Sequence, residues 1–315
     1  MSSRLIFATR PSALARWQTA HIIQELQVYW KGLICEQVVI TTEGDRTLDV
    51  SLPEIGGKGL FTSELERALQ EGRVHAAVHS LKDLPTEEAP GLTLGAISER
   101  EDVRDVLICP AGTTLENLPR GARLGTSSNR RRAQLLAYRP DLLVESIRGN
   151  VDTRIRKVKE GQYDAILLAA AGVTRLGLQE HITEYIPLDV MLPAPGQGAL
   201  AVQCRRTDND TLQLLKAIDH ASTRLAVSAE RAFLSALGGG CALPVGAMAE
   251  VEGGEIRLQG VVASPDGSRI LRLTATGCDP LQLGQALAEE ALDQGARAYL
   301  APEGSPGIST GTLGR

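Results

Sequence analysis

Aromatic side chains are scarce in this sequence: three Phe, two Trp and five Tyr among 315 residues. The core must therefore be aliphatic, and the stacking platforms that hold single-stranded nucleic acid are nearly absent. Cysteine is sparse as well. Cys35, Cys109, Cys204, Cys241 and Cys278 are odd in number, widely spread and never in a CxxC pair. That argues against a disulfide framework and against a zinc site. No HExxH occurs, and His75 and His79, about 13 Å apart along a strand, cannot share one ion. They read as packed or solvated histidines, and no metal is expected. No apolar run approaches the roughly 20 residues of a membrane span. The apolar stretch near Met1 is too short for a signal-peptide core, so no membrane partner and a cytosolic location are expected.

What is present is ordinary in bulk and uneven in detail. Hydrophobic residues make up 43% and charged residues 23%, which suits a globular chain of two or three domains. The net charge is −5, yet residues 120–159 carry eleven basic and three acidic side chains, leaving −13 on the remainder. Arginine dominates that segment, and its rigid fork matches carboxylate and phosphate oxygens. A local Arg cluster in an acidic protein points to a small anionic ligand rather than to a long polyanion. Taken singly, each of these arginines fits a solvated helix face.

The chain begins as alternating strands and helices, the pattern of an α/β domain with a mostly parallel sheet. Strands are expected over Arg4–Thr9, Cys35–Thr41, Val74–His79 and Leu92–Ile97, with a helix opened by Pro11 and Ser12. Ser63 with Glu66 has capping-box spacing before a further helix. The pattern restarts near residue 103, with strands at Val106–Ile108, Leu124–Thr126, Leu142–Ile147 and Tyr163–Ala169 and helices at Ser128–Tyr138 and Asp152–Glu160. Pro193–Gly198 reads as a hinge, after which Ala199–Gln203 is expected to return to the first domain. From about residue 220 the pattern changes to a helix, three alternating strands joined by Gly-containing turns, and a closing helix over Asp279–Gln294. The expected units are 1–98 with 199–217, then 103–193, then 220–300, with a disordered tail at 301–315.

Ligands in open α/β sheets bind beyond the carboxyl ends of strands, and several chemically loaded segments fall there. Thr9-Arg10-Pro11-Ser12 runs from strand into helix and favours an anion. Gly56–Phe61 lacks the GK[ST] ending of a phosphate loop. It reads either as a mobile segment presenting Lys58 and Phe61 over a cleft or as a flexible surface loop. Lys82-Asp83 follows the third strand, where Asp83 could pass a proton to a leaving amine or belong to an ordinary exposed pair. Ser128-Asn129-Arg130-Arg131 and Arg148–Arg154 repeat the strand-to-capped-helix arrangement in the second domain. Cys35, Cys109 and Cys204 lie in apolar runs and fit buried cysteines, whereas Cys241 follows three glycines and is expected to be mobile and accessible.

Taken together, the runs TRPSALA (9–15), TTEGD (41–45), GGKGLF (56–61), HSLKDLP (79–85), GTSSNRRRAQL (125–135), IRGNVDTR (147–154), APGQGALAV (194–202), ERAFL (230–234) and GGGCALPVGA (238–247) closely resemble the porphobilinogen deaminase (hydroxymethylbilane synthase) family. The resemblance implies two α/β domains similar to the lobes of periplasmic binding proteins, plus a small C-terminal α+β domain with a three-stranded antiparallel sheet. It implies a transferase that condenses four porphobilinogen molecules on a covalent dipyrromethane primer and releases ammonia and the tetrapyrrole hydroxymethylbilane. By motif, Cys241 would carry the dipyrromethane by a thioether, and Asp83 would be the catalytic carboxylate. Arg10, Ser12 and Lys82 would hold acetate and propionate arms at the reaction centre. Ser128, Arg130, Arg131, Arg148, Arg154 and Arg175 would hold the carboxylates of the cofactor and growing chain, and Lys58 and Phe61 would belong to a lid. A cytosolic monomer with no nucleic-acid partner is expected. The alternatives are a non-catalytic two-lobed carrier for a small anion and, more weakly, nucleic-acid binding through Arg130–Arg132. Leu81, Leu84, Asn129, Ala242 and Leu243 depart from the family's commoner residues.

Overall fold

The computed structural model describes residues 4–46, 62–240 and 243–300. The expectations for Lys58, Phe61, Cys241 and the 301–315 tail lie outside the described residues.

The first lobe opens with β1 (Arg4–Thr9), α1 (Ala13–Tyr29) and β2 (Ile34–Val39), followed by α2 (Glu43–Arg46), α3 (Ser63–Gln70), β3 (Ala76–Ser80) and β4 (Leu92–Ile97). Ser12 stops the strand-to-helix turn from fraying, since its hydroxyl accepts from Ala15 N at 3.2 Å. Ala15, Ile22, Ile23 and Leu26 then recur at helical spacing and turn one face of α1 into the core. The second lobe holds β5 (Asp105–Ile108), β6 (Arg123–Gly125), α4 (Asn129–Tyr138), β7 (Leu143–Glu145), α5 (Val151–Lys159), β8 (Ala165–Ala169), α6 (Ala170–Arg175) and the short β9 (Glu184–Tyr185). The chain then returns through β10 (Leu200–Arg205) and α7 (Asn209–Leu215).

Strand order in the first sheet is β2-β1-β3-β10-β4, and in the second β7-β6-β8-β5-β9. In each sheet every strand runs one way except one. The reversed strands are β10, antiparallel to β3 and β4, and β5, antiparallel to β8 and β9. Each of the two follows a passage of the chain between lobes. The double crossing gives each sheet a strand that the opposite lobe's connection delivers.

The third part begins with α8 (Ala221–Ala236). β11 (Val245–Glu252), β12 (Glu255–Ala263) and β13 (Ile270–Gly277) then form an antiparallel meander, and α9 (Pro280–Asp293) and α10 (Arg297–Leu300) close the chain. Phe233, Leu258 and Leu287, all but fully buried, join α8, the sheet and α9 in one aliphatic-rich core. The turn between β11 and β12 pairs Glu252 with Glu255, and Gly253 and Gly254 both take positive φ, as a two-residue hairpin demands.

Three expectations are corrected. Ser63 does not cap its helix: Thr62 holds that position without a side-chain bond, and Ser63 is the first helical residue. Cys35 is half-buried rather than buried, because β2 is the sheet's edge strand and shows most of its residues to solvent. Arg130 and Arg131 are not on a solvated face: they are 4% and 6% exposed. Among the described residues no helix is long and apolar enough to cross a membrane, and no group of His, Cys, Asp and Glu could hold a metal ion.

Candidate active site

Strands of both lobes lead into the residues singled out in the sequence. β1 ends at Thr9 and hands over to Arg10 and Ser12; β3 ends at Ser80 and passes into a short 3-10 turn over Leu81–Asp83. On the other side β6 leads to Ser128, β7 to Arg148 and β8 through α6 to Arg175.

The turn that carries Asp83 is held by its flanks. Leu81 and Leu84 are buried and pack with Ile97, Ala199, Ala201 and Val227, which leaves Asp83 itself exposed between them. Leu81 also demands glycine across from it: Gly196 has φ 78°, and a Cβ there would stand 2.9 Å from Leu81 Cγ.

Lys82 points inward. Its Nζ donates to Gln197 Oε1 at 3.2 Å. Burial pushes its ammonium down to about 8; Asp83 and Asp105 oppose that shift, and Arg131 and Arg130 add to it. Asp105 is the centre of the second lobe's charge. It has no exposed surface, and it accepts from Arg130 Nη1 at 2.7 Å, Arg131 Nη2 at 2.8 Å and Gln197 Nε2 at 3.0 Å. Burial alone would raise this carboxyl, but the two guanidiniums outweigh it and hold it far below the usual range. Arg130 also reaches Leu192 O and Arg131 reaches Leu167 O, while the Nε of each is buried without a hydrogen-bond partner among the described residues.

Arg154 lies in the same field. Its Nε donates to Gly149 O at 2.7 Å, and its guanidinium is lowered to about 10 by burial and by repulsion from Arg131 and Arg148, with Asp83 pulling the other way. The charge of Asp83 in the first lobe thus reaches Arg154 in the second. Ser128 caps α4 by accepting from Arg131 N. Arg10 is oriented by Asp45, which accepts from its Nε at 3.3 Å and also from Thr42 N and Oγ1. Burial raises the Asp45 carboxyl, and these bonds more than reverse the shift.

The structure therefore gathers Lys82, Asp83, Arg130, Arg131, Arg148 and Arg154 into one electrostatic neighbourhood. Arg175 has different partners. It is buried at the hinge, donates to Gly198 O at 2.6 Å, and is lowered to about 10 by burial, opposed by Glu101 and Glu25. His79 is a packed histidine, lowered to about 4 chiefly by burial, and His75 Nδ1 accepts from Ile6 N. Sequence reasoning missed Asp105, Gln197 and Glu230. The signals were there: an acid heading an apolar strand, a Gln among hinge glycines and a Glu inside an apolar helix.

Chemically, the cleft offers one exposed carboxylate opposite a concentration of cations. It suits a ligand with several carboxylates and a reaction that develops positive charge near Asp83.

The chain matches the family model described as "Porphobilinogen deaminase, dipyromethane cofactor binding domain" over residues 5–213 and that of the porphobilinogen deaminase C-terminal domain over residues 224–293. It is 53% identical to the porphobilinogen deaminase of Brevibacillus brevis over 294 residues, covering 93% of this chain and 95% of that one. It is 51% identical to the porphobilinogen deaminase of Roseiflexus sp. over 302 residues, 96% and 100% of the two chains. Among solved structures it aligns with the VFT2 domain of Bordetella pertussis BvgS at TM-score 0.42 and 16% identity, covering 69% of this chain and 86% of that one. It aligns with the methionine binding protein MetQ at TM-score 0.41 and 11% identity, over 69% and 90%.

Proposed function

The chain belongs to the porphobilinogen deaminase family, and from that premise we propose which residues carry out its reaction. The protein is a transferase of porphyrin and heme synthesis that condenses four porphobilinogen molecules on a dipyrromethane cofactor and releases hydroxymethylbilane. The observation that carries the residue assignment is the position of exposed Asp83 on the turn after β3, beside Lys82, whose Nζ donates to the hinge residue Gln197, and within the electrostatic reach of Arg154.

Arg10, Ser12 and Lys82 bind the acetate and propionate arms of the incoming substrate. Ser128, Arg130, Arg131, Arg148, Arg154 and Arg175 hold the carboxylates of the cofactor and growing chain, with Lys58 and Phe61 in the loop over the cleft. The donor set fits a carboxylate-bearing group, since the buried Nε of Arg130 and of Arg131 have no hydrogen-bond partner among the described residues. Cys241 would hold the dipyrromethane through a thioether, and the bound group would supply the terminal pyrrole carbon on which the chain is extended. Asp83 passes a proton to the leaving amine as the carbon–nitrogen bond of porphobilinogen breaks. The carboxylate left behind steadies the positive charge that develops on the ring. Each added pyrrole brings further negative charge, which the arginine wall retains through charge-assisted bonds.

Residues 1–98 with 199–217, 103–193 and 220–300 act as three units in this proposal, and the three separate sheets support the division. The chain works as a cytosolic monomer without a nucleic-acid partner; the scarcity of aromatic side chains supports the last point.

Intact-mass measurement tests the anchor. The purified chain is expected to exceed its sequence mass by one dipyrromethane, and Cys241→Ser to match its sequence mass. An adduct that persists on Cys241→Ser removes the thiol from the scheme. A wild-type chain that releases no ammonia from porphobilinogen would be a carrier instead.

A further inference from the structure

Helix α8 touches the Asp83 turn at two places one helical turn apart. Val227 packs with Leu81 and Leu84, the two buried flanks of the turn. Arg231, four residues on and so on the same face, donates Nη1 to Leu84 O at 3.1 Å and Nη2 to Pro85 O at 2.6 Å. Those carbonyls follow Asp83 directly. Beyond α8, Gly239 comes so close to Thr86 that a Cβ would lie 3.0 Å from Thr86 Oγ1. The third part of the molecule thus grips residues 84–86 from one side, while Gly196 and Leu81 fix the other end of the turn.

We infer that Arg231 is a positioning residue for the reaction: its two-pronged bond to Leu84 O and Pro85 O sets where the Asp83 carboxylate stands in the cleft. The inference rests on the assignment of Asp83 as the catalytic carboxylate. The physical reason is the brevity of the turn. Asp83 lies on a three-residue 3-10 element whose closing bond, Leu84 N to Leu81 O, is 3.1 Å. Pro85, lacking an N–H, can be held through its carbonyl but gives the backbone no donor of its own. Loss of the guanidinium frees the carbonyls on the exit side while the apolar plugs keep the turn folded. A small displacement of the acid then costs rate without costing the fold.

Arg231 is half-buried and lines an open groove of about 400 Å³ with Thr86, Glu88, Ser228, Ser235 and Gln285, so a shorter or neutral side chain does not leave a sealed cavity. Arg224 provides the matched control. It lies on the same helix and lines the same groove, but it donates to Asp219 and Leu94 O and makes no bond to Leu84 O or Pro85 O.

The test compares Arg231→Met, Arg231→Lys, Arg224→Met and Asp83→Asn in the holoenzyme, with intact mass confirming the attached dipyrromethane. Arg231→Met is expected to lower kcat about tenfold or more with KM within about twofold. Its thermal midpoint should be no lower than that of Arg224→Met, which keeps its kcat. Arg231→Lys, which can still donate to both carbonyls, should turn over faster than Arg231→Met, and it serves as the reading if the Met variant does not fold. A kcat unchanged in Arg231→Met, or falling equally in Arg231→Met and Arg224→Met, overturns the inference while leaving Asp83 in place. Normal turnover by Asp83→Asn overturns the acid assignment and this inference with it.

Discussion

Lys82 Nζ donates to Gln197 Oε1 at 3.2 Å, and through Gln197 this contact joins the Asp83 turn of the first lobe to the arginine cluster of the second. Gln197 lies at the hinge with 1% of its surface exposed. Its Nε2 donates to Val103 O at 2.7 Å and to Asp105 Oδ1 at 3.0 Å, and Asp105 in turn holds Arg130 and Arg131. A carboxamide, acceptor at one end and donor at the other, is the side chain that can stand between an ammonium and a carboxylate without adding charge.

Gln197→Met keeps the volume and removes both functions. Val103 O is then left without the amide donor. The expected loss is about 1–3 kcal/mol of stability, read as a lower midpoint in urea unfolding. An unchanged midpoint would show that the hinge backbone supplies the connection unaided.

The depressed ammonium of Lys82 gives two pH trends of opposite sign. It loses its proton through about pH 8 in the folded protein, so the cation available to substrate carboxylates declines above that value. kcat/KM for porphobilinogen should fall on that limb, and the limb should vanish in Lys82→Gln. Stability moves the other way. Between about 8 and the ordinary lysine value of 10.5 the unfolded chain binds more protons than the folded one, so Lys82 contributes a stability gain as pH rises through that window. A Lys82→Gln variant with an unaltered alkaline limb assigns the limb to another group.

The strands and capped helices were legible because each is a local pattern. Ser12 and Ser128 stand before apolar helical spacing, and β1 is a bounded aliphatic run. Arg10 and Asp83 were legible as residues just past strand ends, and Arg154 as a residue near the start of a helix that follows a strand. The network behind them was not legible, since its bonds join residues far apart in the chain. Asp105 meets Arg130 across 25 positions and Gln197 across 92. Nothing local separates buried Arg130 from exposed Arg132, two residues on in the same run. The edge position of β2, which leaves Cys35 half-buried, depends on strand order, and strand order is a property of the whole lobe.

Glu230 is the joint of the three parts. It has no exposed surface and accepts from Arg100 Nη1 at 2.6 Å, Arg100 Nη2 at 3.0 Å, Gly196 N at 2.7 Å and Ala249 N at 2.8 Å. Arg100 belongs to the passage between lobes, Gly196 to the hinge and Ala249 to the third sheet, so one carboxylate orders all three. Its four acceptor sites are filled, which is the condition under which a buried ion pair repays its desolvation. Glu230→Gln presents an amide hydrogen to groups that already donate, and leaves the Arg100 guanidinium, 10% exposed, without its counter-charge. We expect a loss of about 3–5 kcal/mol in urea unfolding. Arg100→Met should cost less in the Glu230→Gln background than in the wild type, because the second substitution removes the charge that the first left unpaired. If the two losses simply add, the pair is not the source, and the carboxylate acts through its bonds to Gly196 and Ala249.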